Sequence, residues 1–267
     1  MEGHRMTRAD AWLLDVTEEP GTGPGTGPGP GTGPGLGTGP DDALDLTPLD
    51  AHERERAAAF LRPADRHLYA VAHLALRVIL GGLLGERPAD LVFGRDTCPC
   101  CGGPHGRPVL AVPSPPLHFS LSHTPGRVLV ATAPVPVGAD VEGRPAPESV
   151  RDLASVLHPS ERAEVEAAPD PERRSAVFGR IWARKEAYLK GLGTGLGRDP
   201  GLDDLGGDPV REPGRHPADW SVYDLPCGPR HHGALALRAP RSDAGPRLRH
   251  FASLAALRAE PPTPAGE

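Results

Sequence analysis

Acidic side chains on one short segment have the residue types and spacing of a site that binds a cation. The segment Val137–Gly143 (VGADVEG) predicts a strand and carries Asp140 and Glu142. Residues i and i+2 of a strand project from the same face, so we expect these two carboxylates to point together. Like charges this close repel unless a cation lies between them. A hard divalent cation such as Mg²⁺ takes carboxylate oxygens and often substrate phosphate as well, whereas a solvent-facing edge strand is the alternative.

A second segment, 178–197 (FGRIWARKEAYLKGLGTGLG), predicts a helix that ends in a glycine-rich turn. At about 100° per residue, one face of this helix carries an indole, two ammonium groups and a carboxylate within roughly 140°. These groups belong to Trp182, Lys185, Glu186 and Lys190. Glu186 offers a third carboxylate if the helix packs on the Asp140 strand, whereas a surface pair with Lys190 at i, i+4 is the plainer alternative. The closing glycines end a helix and do not follow a strand, so they are not a dinucleotide-binding loop.

Ser122 and His123 end a predicted strand, and their residue types raise the question of nucleophilic catalysis. Adjacent strand residues face opposite ways, and the chain has no G-x-S-x-G elbow, so we do not expect a hydrolase triad. A hydroxyl and an imidazole at this position suit phosphate binding, with a simple polar strand end as the alternative.

Composition excludes several classes of function. The chain has 267 residues, a formal net charge of -6 and a sequence pI of about 6.1. It shows no basic patch of the size that binding to a phosphate backbone usually needs, so we expect no nucleic-acid partner. The N-terminus has no apolar signal core, and His73 and Arg77 interrupt the longest apolar run. We therefore expect a soluble, cytoplasmic protein that does not enter a membrane.

Cysteine usage agrees with a reducing compartment. Four cysteines in a chain of this length do not form a disulfide framework. Cys98, Cys100 and Cys101 crowd together with His105, but their spacing lacks the paired knuckles of a structural zinc site. We expect a Gly/Pro-rich turn with free thiols here, with zinc binding as the alternative.

The elements that must position these residues follow an order that occurs twice. Strand, helices and strands appear before about residue 135 and again after it, which predicts an α/β (α+β) fold of two similar half-domains. Residues 1–19 and 41–134 form the predicted N-terminal half, and residues 135–240 form the C-terminal half. The Gly/Pro repeat at 20–40 is a predicted disordered spacer, and 241–267 a loose tail. The predicted strands are 11–16, 118–123, 127–133, 137–143, 220–225 and 232–239; the predicted helices are 50–61, about 65–85, 148–167 and 172–190.

Several motifs together resemble the 4′-phosphopantetheinyl transferase family, in its larger, surfactin-synthetase-activating type. GADVE (138–142) is similar to the family's G-x-D-x-E strand, and WARKEAYLK (182–190) matches its W-x-x-K-E-A-x-x-K helix. Three more segments resemble family motifs. The strand HFSLSHT is similar to the family's F-N-x-S-H-S strand, the segment HGRPVL to its G-K-P segment, and LHPSERAEV to its F-x-x-x-E helix start. The likeness covers 11–239 apart from the spacer and some loops, and it implies a pseudo-twofold relation between the two halves.

The resemblance implies an activity and its components. The family moves 4′-phosphopantetheine from coenzyme A to a serine of an apo acyl or peptidyl carrier protein, releases 3′,5′-ADP and needs Mg²⁺. It therefore implies a monomeric enzyme that serves polyketide, nonribosomal-peptide or fatty-acid synthases. Two alternatives of other kinds are a Mg²⁺-dependent nuclease or phosphodiesterase, and a non-catalytic protein that binds carrier proteins or coenzyme A.

The resemblance also implies a role for each candidate residue. Asp140, Glu142 and Glu186 would hold the metal, and Asp140, Glu186 and Lys190 would be catalytic. Glu186 would take the serine proton, directly or through a metal-bound water, and Lys190 would stabilise or protonate the departing phosphate. Arg107 replaces the family's usual lysine, and Arg62 stands in a displaced motif. The implied coenzyme A ligands are Arg62, Arg77, Arg107, Ser122, His123, Lys185 and Lys190.

Overall fold

The chain folds as a mixed α+β protein in the computed structural model, which describes residues 8–16, 44–111, 117–212 and 215–264. The predicted spacer at 20–40 lies outside the described residues. The helices are α1 (Ala51–Ala58), α2 (Pro63–Leu84), α3 (Pro147–Leu153), α4 (Pro159–Ala167), α5 (Pro171–Leu192) and α6 (Leu254–Ala259). The strands are β1 (Asp10–Asp15), β2 (Phe93–Arg95), β3 (Pro108–Leu110), β4 (His118–Thr124), β5 (Arg127–Ala133), β6 (Val137–Gly143), β7 (Ser221–Leu225), β8 (His231–Leu237) and β9 (Arg247–Phe251).

The first unit is a sheet of order β4-β5-β1-β9 with α2 packed on one face. Trp12 and Leu14 alternate along β1 toward this helix, and Val128 and Val130 do the same from β5. An 18-residue window of α2 has a mean hydropathy of 1.6, which satisfies the length and composition of a membrane span, but 67% of the window is buried inside the protein. In this structure α2 is therefore the core helix of the first unit.

The second unit is a sheet of order β6-β8-β7 with α5 packed on its outer face. Ala183 and Ala187 of α5 contact Ala234 and Ala236 of β8, and these small side chains bring helix and sheet close together. Gly138 makes the closest approach, because a Cβ there would lie 1.9 Å from the carbonyl oxygen of Ala187. The α5 face of β6 is thus the face of Gly138, on which Asp140 also lies.

The two units share one chain path. In each unit a strand leads through a 22-residue helix to a hairpin, and the second hairpin strand lies between the other two, antiparallel to both. Each long helix begins with a proline and ends at a glycine of positive φ, Gly85 or Gly193. Both units therefore follow the same order of strand, helix and strands along the chain.

The inner faces of the two sheets pack against each other. Leu13 and Leu129 from the first sheet meet Val141 and Leu235 from the second in one apolar cluster. Because strand side chains alternate, this packing directs Asp140 and Glu142 of β6 away from the cluster and toward α5. The prediction that both carboxylates share a strand face is confirmed.

The prediction of a loose tail at 241–267 is wrong. Strand β9 pairs in parallel with β1, and α6 packs Leu254 and Leu257 into the apolar cluster around α2. The C-terminal segment therefore returns to the first unit and completes its sheet, so the predicted N-terminal half omits part of its own core. The sequence does not predict this strand, because β9 (RLRHF) carries three charged or polar residues in five and has little alternating hydrophobicity.

Candidate functional site

The candidate site lies where the edge strand β4 of the first sheet meets the edge strand β6 of the second. The backbone N–H of Ala139 donates a 2.9 Å hydrogen bond to Ser120 Oγ, which fixes the two edges side by side. Two residues further along β4 and one residue further along β6, Ser122 Oγ donates a 2.8 Å hydrogen bond to Asp140 Oδ1. Helix α5 covers this seam and supplies the remaining groups.

Lys190 joins Ser122 and Asp140 from α5. Its Nζ donates to Asp140 Oδ1 at 2.5 Å and to Ser122 Oγ at 3.0 Å. The side chain of Asp140 is 2% exposed and that of Lys190 is 30% exposed, so this ion pair is at the wall of the site and not on the open surface. Among the described residues, nothing donates a hydrogen bond to the second carboxylate oxygen, Asp140 Oδ2, although it is buried.

Two further carboxylates share this environment. Burial and the negative charge of Asp140 raise the pKa of Glu142 to about 7, with a smaller contribution from Glu186 and an opposing one from Lys190. Burial and Asp140 also raise the pKa of Glu186, again against Lys190. The carboxylates are therefore close enough to interact electrostatically, and the site has three acidic groups for one ammonium.

This surplus of negative charge fits a divalent cation. Asp140 Oδ2 offers a buried oxygen with no competing donor, and Glu142 and Glu186 are both held where a second positive charge would stabilise their ionised forms. In the described part of the chain, the ligand oxygens of the three side chains are not all within 4.8 Å of one another. The three predicted metal ligands therefore share one electrostatic environment but do not converge on a single point, and Asp140 holds Lys190.

His123 and Arg107 flank the carboxylate site. His123 projects from the opposite face of β4, where the ring of Tyr69 lies edge-on at 6.4 Å. Burial lowers the pKa of His123, and the nearby charges of His73 and Lys190 lower it further. Arg107, with a 21% exposed side chain, donates a 3.3 Å hydrogen bond to the carbonyl of Gly191 at the end of α5. Both residues remain candidates for contact with a phosphate.

Three predicted ligands of coenzyme A lie elsewhere. Arg77 is fully buried, and its guanidinium donates to Glu53 Oε2, Asp50 Oδ2 and the carbonyls of Pro88 and Leu91. A structural network thus uses this arginine, which is not accessible to a phosphate.

Lys185 is directed away from Lys190. Its Nζ pairs with Glu161 Oε2 at 2.8 Å and donates to the carbonyls of Pro200 and Asp203 at 2.6 and 2.7 Å. It is 2% exposed, so the prediction that both lysines serve one face is wrong. Five residues of helix separate them by about 140°, which is enough to place them in different packing environments. Arg62 is the exposed N-cap of α2, and within the described residues no hydrogen bond or ion pair joins it to the other candidates.

Two aromatic residues near His123 were not predicted from the sequence. Tyr69 and His73 of α2 stack with ring centroids 4.1 Å apart, and His73 Nδ1 lies 2.9 Å from Glu53 Oε1. The available signal was their i, i+4 spacing, which places both side chains on one face of an otherwise apolar helix. Of the two, Tyr69 contacts His123 edge-on, and the charge of His73 adds to burial in lowering the pKa of His123.

Comparison with known proteins gives matches to one family of enzymes. The family model described as the 4′-phosphopantetheinyl transferase superfamily (ACPS) matches residues 136–221. That segment contains the three carboxylates and Lys190. Over residues 136–221 the chain is thus similar to this superfamily.

Curated relatives agree with the family model. The chain is 25% identical over 148 residues to a 4′-phosphopantetheinyl transferase of Bacillus subtilis, covering 55% of this chain and 62% of the relative. It is 31% identical over 154 residues to the 4′-phosphopantetheinyl transferase HetI of a Nostoc species, covering 56% and 62%. It is 34% identical over 137 residues to the 4′-phosphopantetheinyl transferase AcpT of Salmonella typhi, covering 51% and 65%. The matched part of the chain thus spans less than two thirds of the length of these transferases.

Proposed function

We propose that this chain transfers 4′-phosphopantetheine from coenzyme A to a serine of an apo acyl or peptidyl carrier protein and releases 3′,5′-ADP. The observation that carries the proposal is the site built from Asp140, Glu142, Glu186 and Lys190. All four lie in the segment that matches the transferase superfamily. Where β6 packs on α5, Lys190 pairs with Asp140, and the charge of Asp140 acts on both Glu142 and Glu186. The names of the relatives support the same activity.

Mg²⁺ is the proposed metal, and Asp140, Glu142 and Glu186 are the side chains that would hold it. When bound, the cation supplies positive charge beside the pyrophosphate, where negative charge builds up as the phosphate leaves. Hard carboxylate oxygens are the donors that such a cation prefers. The donor set on this chain therefore suits Mg²⁺ better than a soft metal.

Glu186 is the proposed acceptor of the serine proton. A carboxylate with a raised pKa is a stronger base than an ordinary one, and burial and Asp140 supply that shift here. As the serine oxygen forms its bond to the phosphopantetheine phosphorus, its proton passes to Glu186. The pyrophosphate P–O bond breaks, and 3′,5′-ADP leaves with the electron pair.

Lys190 is the proposed donor to the departing phosphate. An ammonium group has three N–H donors, and Asp140 and Ser122 accept two of them in this structure. These two acceptors fix the direction of the ammonium, so the third donor can be aimed at a developing negative charge. Ser122 is thus a positioning residue for Lys190, and we do not retain it as a phosphate ligand.

Arg107 and His123 are the proposed contacts for the phosphates and adenine of coenzyme A, with exposed Arg62 as a more distant candidate. Arg107 offers a planar, charged fork suited to phosphate. The common topology of the two units supports the further proposal that a pseudo-twofold axis relates them, as in the larger, surfactin-synthetase-activating type. We also propose a cytoplasmic monomer that serves synthase carrier domains.

The test is mass spectrometry of apo carrier proteins after incubation with coenzyme A, with and without Mg²⁺. We expect the carrier to gain the mass of one phosphopantetheine only when Mg²⁺ is present. Glu186→Gln should lower the rate by about 10²- to 10⁴-fold. Glu148→Gln on the exposed surface of α3 is the matched control and should leave the rate unchanged. An unmodified carrier, or cleavage of nucleic acid or a dinucleotide instead, would refute the proposal.

A further inference from the structure

A second group of ligand-type side chains lies in the loop between β2 and β3. Cys98, Cys101 and His105 each direct one ligand atom to a common point, and these atoms all lie within 4.8 Å of one another. Cys101 Sγ and His105 Nε2 lie 2.9 Å apart. Among the described residues, this is the one group of three or more His, Cys, Asp or Glu side chains whose ligand atoms lie close enough together to bind a single metal ion.

The backbone of the loop holds the two cysteines in place. The N–H of Gly102 donates to the carbonyl of Cys98 at 2.8 Å, and the N–H of Cys98 donates to the carbonyl of Gly103 at 2.7 Å. Gly102 has a φ of +73°, a left-handed conformation that favours glycine. The backbone N–H groups of Cys100 and Cys101 donate to Cys98 Sγ. A Cys-x-x-Cys turn with N–H groups directed at sulfur suits binding of a cation by two thiolates.

Close packing brings His105 to the same point. A Cβ at position 103 would lie 2.9 Å from His105 Cδ2 and 3.4 Å from Cys101 Sγ, so only glycine leaves the ring this close to the sulfur. Cys98 is buried, whereas Cys101 and His105 are exposed. All four cysteines of the chain are free, so no disulfide accounts for the convergence.

The loop lacks the apolar side chains that normally hold a segment together. Residues 96–107 (DTCPCCGGPHGR) include no valine, leucine, isoleucine, methionine or aromatic hydrocarbon side chain. Short segments without an apolar core are commonly stabilised by a metal or a disulfide. A shared cation would supply the missing cross-link.

We propose that Cys98 Sγ, Cys101 Sγ and His105 Nε2 bind one Zn²⁺. Thiolate and imidazole donors in a small cluster select zinc over Mg²⁺ or Ca²⁺. Binding forms two Zn–S bonds and one Zn–N bond, and the two thiol protons pass to solvent. The exposed side of the cluster leaves the fourth position to water. This site is separate from the carboxylate site, and its donors are of a different chemical class.

The position of the loop suggests what the zinc stabilises. The loop ends at Arg107, whose Nη2 lies 3.3 Å from Asp96 Oδ2 and whose Nη1 donates to Gly191 at the end of α5. The zinc therefore fixes the loop that carries Arg107 against the second unit. Its role is structural, and the proposal does not depend on the transferase activity.

The test is the zinc content of the full-length protein after purification under reducing conditions and gel filtration, measured by inductively coupled plasma mass spectrometry. We expect about one zinc per chain. Cys101→Ala and His105→Ala should each lose most of it. Cys100→Ala changes the neighbouring exposed thiol, which lies outside the converging group, and should keep the metal. Far-UV circular dichroism of each variant checks that the rest of the fold persists.

Substitution with Co²⁺ provides a second readout that does not depend on activity. The wild type and Cys100→Ala should show thiolate-to-cobalt charge transfer and the visible bands of tetrahedral cobalt, and Cys101→Ala should not. A zinc-free wild type with no cobalt spectrum would overturn the site. A Cys98–Cys101 disulfide in protein purified under reducing conditions would also overturn it. The same holds if Cys100→Ala loses as much zinc as Cys101→Ala.

Discussion

Lys190 Nζ lies 2.5 Å from Asp140 Oδ1, and this contact joins α5 to β6 across fifty residues of chain. The chain has one other lysine, Lys185, whose Nζ lies 2.8 Å from Glu161 Oε2. One helix thus places one ammonium at the wall of the candidate site and the other inside the second unit. The two lysines therefore differ in exposure and in ion-pair partner, although both belong to the same sequence motif.

This difference predicts selective labelling. An amine-reactive reagent should modify Lys190, whose side chain is 30% exposed, several-fold faster than Lys185, whose side chain is 2% exposed. Peptide mass spectrometry after a short pulse on the native protein measures both rates. Unfolded protein, in which both sites should react alike, is the control. Equal labelling in the native state would show that Lys185 is accessible, contrary to its buried ion pair.

Glu142 should make stability fall as pH rises. Its folded pKa is about 7 against an ordinary value of 4.5, so between these pH values the folded protein holds a proton that the unfolded chain has released. The free energy of unfolding therefore decreases across this window and levels off above it. In metal-free buffer at pH 8, Glu142→Gln should be more stable than wild type by about 1–2 kcal/mol, allowing for solvent screening.

Urea unfolding at pH 5 and pH 8 measures this effect. Glu148→Gln, an exposed change on α3, is the control and should follow the wild type at both values. Glu186 also has a raised pKa, so Glu142→Gln should reduce the slope without removing it. Mg²⁺ should restore stability to the wild type at pH 8, because it favours the ionised carboxylates. Equal slopes for wild type and Glu142→Gln would contradict the assignment.

Gly138 should not tolerate a side chain. A Cβ there would lie 1.9 Å from the Ala187 carbonyl oxygen and 2.4 Å from the Gly191 nitrogen, and neither backbone atom can move without separating β6 from α5. Gly138→Ala should cost about 3 kcal/mol or more in the free energy of unfolding. Gly197→Ala, where a Cβ meets open space, is the control and should change stability little. A wild-type urea midpoint for Gly138→Ala would show that the helix can retreat from the strand.

The C-terminal helix should contribute to the core of the first unit. Leu257 is fully buried against the α2 cluster, so Leu257→Ala should lower the free energy of unfolding by about 2–5 kcal/mol. Leu196→Ala, at a position that is 63% exposed, is the matched control. Thermal unfolding of both variants measures the difference. Equal midpoints would mean that 254–259 does not pack as the structure has it.

Local signals in the sequence were enough to predict most of the elements. Asp50 caps α1 with Glu53 in a capping box, and the Thr-Pro-Gly turn joins β4 to β5, both as the residue types indicate. The strand alternation around Asp140 also determines that Glu142 shares its face. Each of these features depends on residues within a few positions of one another, so the sequence pattern contains the whole cause.

Only the tertiary structure decided which charged side chains belong to the site. Arg77 and Lys185 are cations in suitable motifs, yet each is enclosed by carboxylates and carbonyls that come from other segments. Strand β9 pairs with β1 through backbone hydrogen bonds, and the side-chain pattern of β9 does not predict this pairing. Residue types and spacing determined which groups were available for phosphate, metal and proton transfer. Packing between distant segments determined which of them are accessible, because burial and partner charges are properties of the folded chain.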